Sequence, residues 1–353
     1  METVDKSIVF VMPVANQPRF IKRINKYIND GYDVTVASFE RDYLSKNKLP
    51  DKIKYISLGK VEPKKYHKRI INIFKAYFTL MKITKKRSDL YVLSQDMLFV
   101  SLFLRKKKWL YEIGDIRTLN NSLFNEVYKY IQKVILKKID SIIVTSPKFK
   151  DYLHTSFGVG KDNIEIIENK MSPTVFPVNN QAKFKSIKES NFTLGIIGLF
   201  RYKNIIHLLE SYKKLQPKFN IQIWGMGPLK SEMEKYYDCK KINYNGEFKY
   251  PDDLRNIYTQ ISISFVMYDN KDLNVRLALP NKLYESLYFK KPMIVSENTF
   301  LGEKVNELDV GICWDQKDMD GLIENLDSKE FIQKYNNYER SFNKIDLLSI
   351  YQS

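Results

Sequence analysis

The sequence predicts an α/β protein of two tandem domains, each a doubly wound parallel sheet. Three observations carry this. The chain has 353 residues, beyond the roughly 250–300 at which a single core stops growing. Short β-branched runs alternate with longer helical patterns, the mark of parallel strands joined by crossover helices. The alternation stops once, near the middle, and then restarts.

In the first half the expected strands are Ser7–Met12, Asp33–Ser38, Lys54–Leu58, Leu90–Leu93, Trp109–Ile113, Ser141–Thr145 and Ile164–Ile167. Helical patterns fall at Phe20–Asp30, Tyr66–Lys86 and Glu126–Lys138. The stretch KMSPTVFPVNNQAKFKSIKESNF, residues 170–192, has two prolines, paired asparagines and no period, so it reads as an interdomain linker. Strands then resume at Thr193–Gly198, Ile221–Gly225, Ile261–Val266, Met293–Ser296 and Gly311–Trp314. The expected division is 1–170, a linker over 171–192, a second domain over 193–335 and a terminal helical segment over 336–353.

The N-terminal METVDKSIVFVMPV carries acidic residues and reads as a strand, not a signal peptide. The longest apolar run, Met97–Leu104, is far short of the ~20 residues of a spanning helix, so a cytoplasmic location is expected. Isolated Cys239 and Cys313 fit a reducing compartment. His67, His154 and His207 show no metal-ligand spacing, and no metal site is expected.

The restarted strands end in glycine. TLGIIG closes at Gly198, and IQIWG closes at Gly225 before Gly227 and Pro228. Glycine there lets a phosphate approach the backbone and leaves helix N–H groups to bind it. The first strand instead runs into PVANQP without G-x-G-x-x-G, which counts against an N-terminal dinucleotide site. Arg201 and Lys203 follow Gly198, and a helix is expected from about Asn204, placing two cations at a helix N-terminus. The alternative is a pair of solvated charges. The chain is read as lacking an Asp-x-Asp pair for an ion, so cations rather than a metal are expected to neutralise an anion. In LPNKLYE, Asn281 is the expected N-cap of a helix running to Pro292, with Glu285 in its first turn. Glu285 could accept from both ribose hydroxyls or merely complement the helix dipole.

Taken in order, GLFRYKNIIHLLESYKKL, IWGMGPLKSEMEKY, NGEFKYPDDLRNIYTQISISF and LPNKLYESLYFKKPMIVSE resemble the C-terminal domain of retaining GT-B glycosyltransferases of family 4, many of which build bacterial capsule, O-antigen or exopolysaccharide. The resemblance covers residues 193–315 and continues more loosely through WLYEIGD, IIVTSPKFKDYL and IIENK. It implies a GT-B fold, two Rossmann-like domains facing a cleft, with the final stretch RSFNKIDLLSIYQS crossing back to the N-terminal domain. It implies that Arg201 and Lys203 contact the donor diphosphate, that Asn281 and Lys282 lie beside the phosphates, and that Glu285 holds the ribose. The Gly225–Pro228 turn and the 246–250 loop would flank the base, and Asp115 would face the reacting sugar. The family's Glu-x7-Glu pattern is broken, because Leu277 stands where the first Glu would fall. The implied activity is sugar transfer with retention from a nucleotide-sugar substrate, a UDP-sugar first and a GDP-sugar next, with no cofactor. The acceptor would be a glycan or a lipid-diphosphate-linked glycan.

Charge is uneven. Residues 1–170 hold 33 Lys and Arg against 18 Asp and Glu, whereas 171–353 hold 25 against 23. Lys68, Asn72, Lys75, Thr79, Lys82 and Lys86 recur at helical spacing as one polar stripe, and Arg105–Lys108 add four cations. The stripe is either a solvated helix face or a docking surface for anionic lipid, which would place the protein peripherally on the inner face of the cell membrane. Nucleic-acid binding is the rival from another class. The aromatics lie inside apolar periodic segments and no nucleic-acid motif is visible, so no nucleic-acid partner is expected. A GT-B sugar-nucleotide epimerase is the rival within the fold.

Overall fold

The computed structural model describes residues 6–15, 18–40, 49–60, 66–84, 88–116, 122–188 and 192–351. The chain divides into two compact units, Met1–Glu168 and Asn169–Ser353.

The first unit holds a seven-stranded parallel sheet, β1 (Ser7–Met12), β2 (Asp33–Glu40), β3 (Lys54–Lys60), β4 (Asp89–Leu93), β5 (Trp109–Ile113), β6 (Ser141–Val144) and β7 (Ile164–Ile166). Its spatial order is β3-β2-β1-β4-β5-β6-β7. The chain winds outward from β1, returns, and winds out the other way from β4. The β1/β4 boundary is therefore the topological switch point, where loops leave in opposite directions and open a crevice at the strands' carboxyl ends. The central strands are covered on both faces, which is why they read as near-continuous apolar runs. Ile8, Phe10, Val36, Tyr91 and Ile143 are buried in this core.

The second unit repeats the plan with six parallel strands, β8 (Thr193–Leu199), β9 (Asn220–Met226), β10 (Ile242–Tyr244), β11 (Ile263–Val266), β12 (Met293–Ser296) and β13 (Gly311–Trp314). The order β10-β9-β8-β11-β12-β13 puts its switch point between β8 and β11. Edge strand β10 was not anticipated. It has three residues, INY, too few to show alternation.

Of the expected linker 171–192, the described residues 171–188 and 192 pack on the second unit. Met171 and Phe176 are in its core, the Tyr288 hydroxyl donates to the carbonyls of Pro177 and Asn180 at 3.1 and 3.0 Å, and the Asn336 amide pairs with the Ile187 backbone. The helix Lys329–Lys344 buries Phe331, Tyr335, Tyr338 and Phe342 in the same core, and Met171 bridges Tyr351.

Candidate active site

The second unit's candidate site is built on the ends of β8 and β9. These strands run in register, Gly198 opposite Gly225 and Leu199 opposite Met226. Both glycines have positive φ, 122° and 133°. They differ in what surrounds them. A Cβ on Gly225 would lie 1.9 Å from the Gly198 carbonyl oxygen, so Gly225 is required by close approach of two backbones. A Cβ on Gly198 would meet nothing nearer than Lys282 Cε at 3.9 Å, so Gly198 leaves open space beside that lysine. Gly227 packs on the Phe200 backbone, and the Phe200 N–H donates to the Met226 carbonyl at 2.9 Å. Pro228 follows, exposed.

The helix Asn281–Phe289 enters from the other side. Its cap is Pro280, with Asn281 as the first helical residue, exposed and making no side-chain cap bond. This corrects the expected Asn281 cap: the fixed φ of Pro280, −76°, sets up the first turn without a side-chain acceptor. Glu285 lies at the second turn's start and is 2% exposed, which a helix-end charge would not be. Its Oε2 accepts from Lys282 Nζ at 2.6 Å and from the Tyr258 hydroxyl at 3.0 Å. Burial first, and then the Glu285 carboxylate, push the hydroxyls of Tyr250, Tyr258 and Tyr268 far above neutrality, so all three remain protonated around it. The carboxylate is thus paired with Lys282 and hydrogen-bonded by Tyr258. Tyr250 lies in the 246–250 loop read from the sequence; Tyr258 and Tyr268 were not singled out, because beside apolar runs they read as ordinary core.

Arg201 and Lys203 are exposed in the loop leaving β8. Arg201 Nη2 donates to the Tyr202 hydroxyl at 2.7 Å, and the Tyr202 ring packs on Tyr268 with centroids 5.1 Å apart. The arginine is therefore anchored across the β8/β11 switch point. Lys203 caps the helix Asn204–Leu215, which begins where expected. Leu199 and Met226, exposed at the strand ends, give this edge an apolar surface beside the cations.

The acids near Leu277 are used structurally. Asp272 caps the helix Leu273–Leu277 through the Asn274 N–H at 2.8 Å, and Asp269 accepts from the Lys271 N–H at 3.1 Å and from Gln316 Nε2 at 3.3 Å. Contrary to the reading that no Asp-x-Asp is present, Asp318-Met319-Asp320 is one, but it too is used structurally: Asp318 caps the helix Met319–Leu326 and Asp320 pairs with Lys214 at 2.6 Å. Among the described residues no group of three or more His, Cys, Asp or Glu could hold a metal ion.

Asp115 belongs to the first unit. It is exposed just past β5, at a small cavity lined by Leu93, Ser94, Gln95 and Glu112. Glu112 is 1% exposed; its Oε2 accepts from Arg23 Nε at 3.1 Å and the Tyr91 hydroxyl at 2.5 Å, while its Oε1 and Ser94 Oγ are buried and find no partner among the described residues. Neither Glu112 nor Ser94 was singled out from the sequence: one sits in an apolar strand and the other is a lone serine at a strand end.

With this geometry in place, the comparisons with known proteins fall into line. Residues 178–341 match the family described as Glycosyl transferases group 1. No curated protein sequence matches the chain. Among solved structures, a glycosyltransferase from Rickettsia africae ESF-5 aligns over 99% of this chain and 94% of its own, with TM-score 0.67 and 16% identity. Anabaena Alr3699/HepE in complex with UDP and glucose aligns over 98% and 97%, with TM-score 0.65 and 12% identity. WaaG, a glycosyltransferase involved in lipopolysaccharide biosynthesis, aligns over 97% of both chains, with TM-score 0.67 and 12% identity. The fold is GT-B, two parallel-sheet α/β domains. The second unit carries the group 1 match, which supports a glycosyltransferase of that type.

Proposed function

We propose that the chain transfers a sugar, with retention of configuration, from a nucleotide-sugar donor bound by the second unit to a lipid-diphosphate-linked glycan of the bacterial surface. The observation that carries the donor half is the Gly198–Lys282–Glu285 arrangement. An open glycine turn, a lysine beside it and a buried carboxylate beyond that lysine form a line suited to phosphate, then ribose. Both bonds made to Glu285 fall on Oε2, so Oε1 is the oxygen assigned to the ribose hydroxyls. A UDP-sugar is the first choice and a GDP-sugar the second. HepE with bound UDP-glucose shares the fold and supports this order.

The chemistry follows from charge. As the bond between sugar and phosphate breaks, negative charge grows on the diphosphate. Fixed cations aimed there stabilise the transition state more than the ground state. Arg201, Lys203 and the N-terminus of the helix Asn204–Leu215 are assigned that task, with Asn281 and Lys282 beside the phosphates. Anchoring Arg201 on Tyr202 limits the reorganisation needed when charge develops. The Gly225–Pro228 turn and the 246–250 loop are assigned to the base. Asp115 is assigned to the reacting sugar on the acceptor side, and the departing phosphate takes the acceptor's proton.

No helix among the described residues is long and apolar enough to cross a membrane. The proposed location is peripheral, on the cytoplasmic face, through the cationic first unit. Thermal shifts against UDP-, GDP-, dTDP- and CMP-sugars test the donor. A ligand at 100 times its dissociation constant adds about 2.7 kcal/mol, and a chain that none of them stabilises does not use this site. Transfer activity is expected to persist in excess EDTA; complete loss restored by manganese or magnesium would remove the cationic account. An incubation without acceptor separates the rival within the fold, since an epimerase would interconvert nucleotide sugars there and a transferase would show only slow hydrolysis.

A further inference from the structure

The first unit buries a carboxylate that the donor chemistry does not use. Glu112 stands one residue from the carboxyl end of β5, opposite Leu93 of β4. Its Oε2 is held by Arg23 and Tyr91, and Arg23 is held in turn by the Ile167 carbonyl, to which its Nη2 donates at 3.2 Å. Burial, and then Glu112 itself, hold the Tyr91 hydroxyl well above its usual range, so it keeps its proton and donates. All of these bonds fall on Oε2. Oε1 is buried and finds no partner among the described residues. An unbonded acceptor on a buried charged group is costly, and native proteins keep such groups where they serve a purpose. Fixed from the other oxygen, Oε1 is already oriented for the group that bonds it.

Ser94 supplies a second such group. It stands at the cap position of the helix Gln95–Ser101, where a serine hydroxyl ordinarily accepts from the first turn. Here it makes no cap bond, and its Oγ is buried without a partner among the described residues. The two groups do not bond each other. Yet both residues line one cavity of about 30 Å³ at the carboxyl ends of β4 and β5. That is room for a group of about water's size, not for a sugar ring. Gly114 is half-buried and Asp115 exposed, so the cavity has a mouth through which a group on a larger molecule can enter.

The chemistry of the walls says which group. A phosphate or carboxylate would meet Oε1 as a like charge. An apolar group would leave both polar atoms unbonded. Arg23 already balances the charge of Glu112, so the site calls for a neutral group. An alcohol hydroxyl donates to Oε1 and accepts from the Ser94 hydroxyl, satisfying both with a single oxygen. Ser94 Oγ turns about one bond, so it can follow the group that enters.

We propose that Glu112 Oε1 and Ser94 Oγ together bind one hydroxyl of the acceptor sugar, and so select the acceptor at that position. The inference rests on the proposed transferase reading, which assigns the acceptor to the first unit, but its test uses neither donor nor transfer. Methyl pyranosides of glucose, galactose, mannose and N-acetylglucosamine are titrated into the full chain and followed by ligand-observed saturation-transfer NMR. At least one is expected to bind. For that one, replacing each ring hydroxyl in turn by hydrogen is expected to weaken binding about tenfold at one position alone, through loss of a charge-assisted bond. In Glu112→Gln and in Ser94→Gly, with folding checked by circular dichroism, the penalty at that position is expected to narrow. Ser94→Gly is also expected to melt above the parent. A φ of 74° with ψ 155° suits glycine and strains serine, and the change removes a buried unbonded hydroxyl. If Ser94→Gly melts below the parent, the serine belongs to the frame and the proposal falls. No pyranoside bound by the parent, or no ring position that stands out, overturns it. So does a penalty that both variants leave unchanged, the result expected if the cavity holds only water. A chain that fails here but is stabilised by a nucleotide sugar loses this subsite and keeps the transferase reading. A chain that passes here and is stabilised by no nucleotide sugar keeps the sugar subsite and loses the transferase reading.

Discussion

The two units share one winding plan and end it differently. In the second, the strands on either side of the switch point close on glycine turns, anchored cations and a buried carboxylate paired with Lys282. In the first, the same edge carries an apolar cavity and a buried carboxylate with one oxygen unpaired among the described residues. The fold fixes where a ligand meets the sheet; side chains at the strand ends fix which ligand. The second arrangement suits the proposed polar, charged nucleotide; the largely apolar edge of the first does not.

The sharpest way to break the second arrangement is at Gly225. Gly225→Ala puts a methyl group into the Gly198 carbonyl at a positive φ, and it should cost more than about 4 kcal/mol, read from denaturant unfolding. Gly198→Ala meets no backbone and should cost only about 1–3 kcal/mol from conformational strain. Equal costs would mean that the two glycines are not distinguished by close approach.

The next effect separates stability from the site. Lys291, just before β12, is buried, and burial, with Lys185 adding to it, pulls its ammonium down to about 8. The folded chain therefore releases this proton before the unfolded chain does, whose lysines titrate near ~10.4. The penalty is in full force below pH 8 and fades as pH rises through the interval up to the unfolded value. Lys291→Met should stabilise the protein by about 3 kcal/mol at neutral pH and flatten the rise in stability above pH 8 that the parent shows. A parallel pH profile in parent and variant would refute this.

The smallest effect belongs to the first unit. Lys75 and Lys82 are exposed on the helix Tyr66–Ile83, and each should contribute about 1 kcal/mol near an anionic bilayer. The side chain of Lys68 and all of Lys86, the ends of the expected stripe, lie outside the described residues. Changing Lys75 and Lys82 to Gln should weaken vesicle binding, which should also fall as salt rises, and leave nucleotide affinity unchanged. Undiminished vesicle binding would make the stripe a solvated face. A shift of nucleic acid at physiological salt, without vesicle binding, would favour the rival partner.

Most of the strands were legible because each is a short apolar run between turn residues; Ser7–Met12, Trp109–Ile113 and Met293–Ser296 match to the residue. Others were off by a residue or two where a polar residue continued the ladder, as Asp89 and Asn220 do. The glycine turns and the helix at Asn204 were legible from local rules. The Tyr258 partner of Glu285 was not, because only tertiary folding brings a tyrosine from one apolar helical pattern onto a carboxylate in another. The basic stripe was visible in the sequence; that Phe74, Phe78 and Met81 on the same helix stand exposed was not. Periodicity reports that a helix has two faces, not which of them finds a partner.

The central claim is that Glu285 holds the ribose of a nucleotide in the second unit. Truncation to alanine would strand Lys282 and Tyr258 and confound binding with folding. Glu285→Gln keeps the shape and removes the charge. Calorimetric titration of UDP and GDP into parent and Glu285→Gln, with melting curves confirming that both are folded, tests the claim directly. Loss of a charge-assisted bond should weaken the preferred nucleotide by about 1.5–3 kcal/mol, roughly ten- to a hundredfold. A folded variant that binds the nucleotide as tightly as the parent would show that Glu285 serves only its lysine and tyrosine.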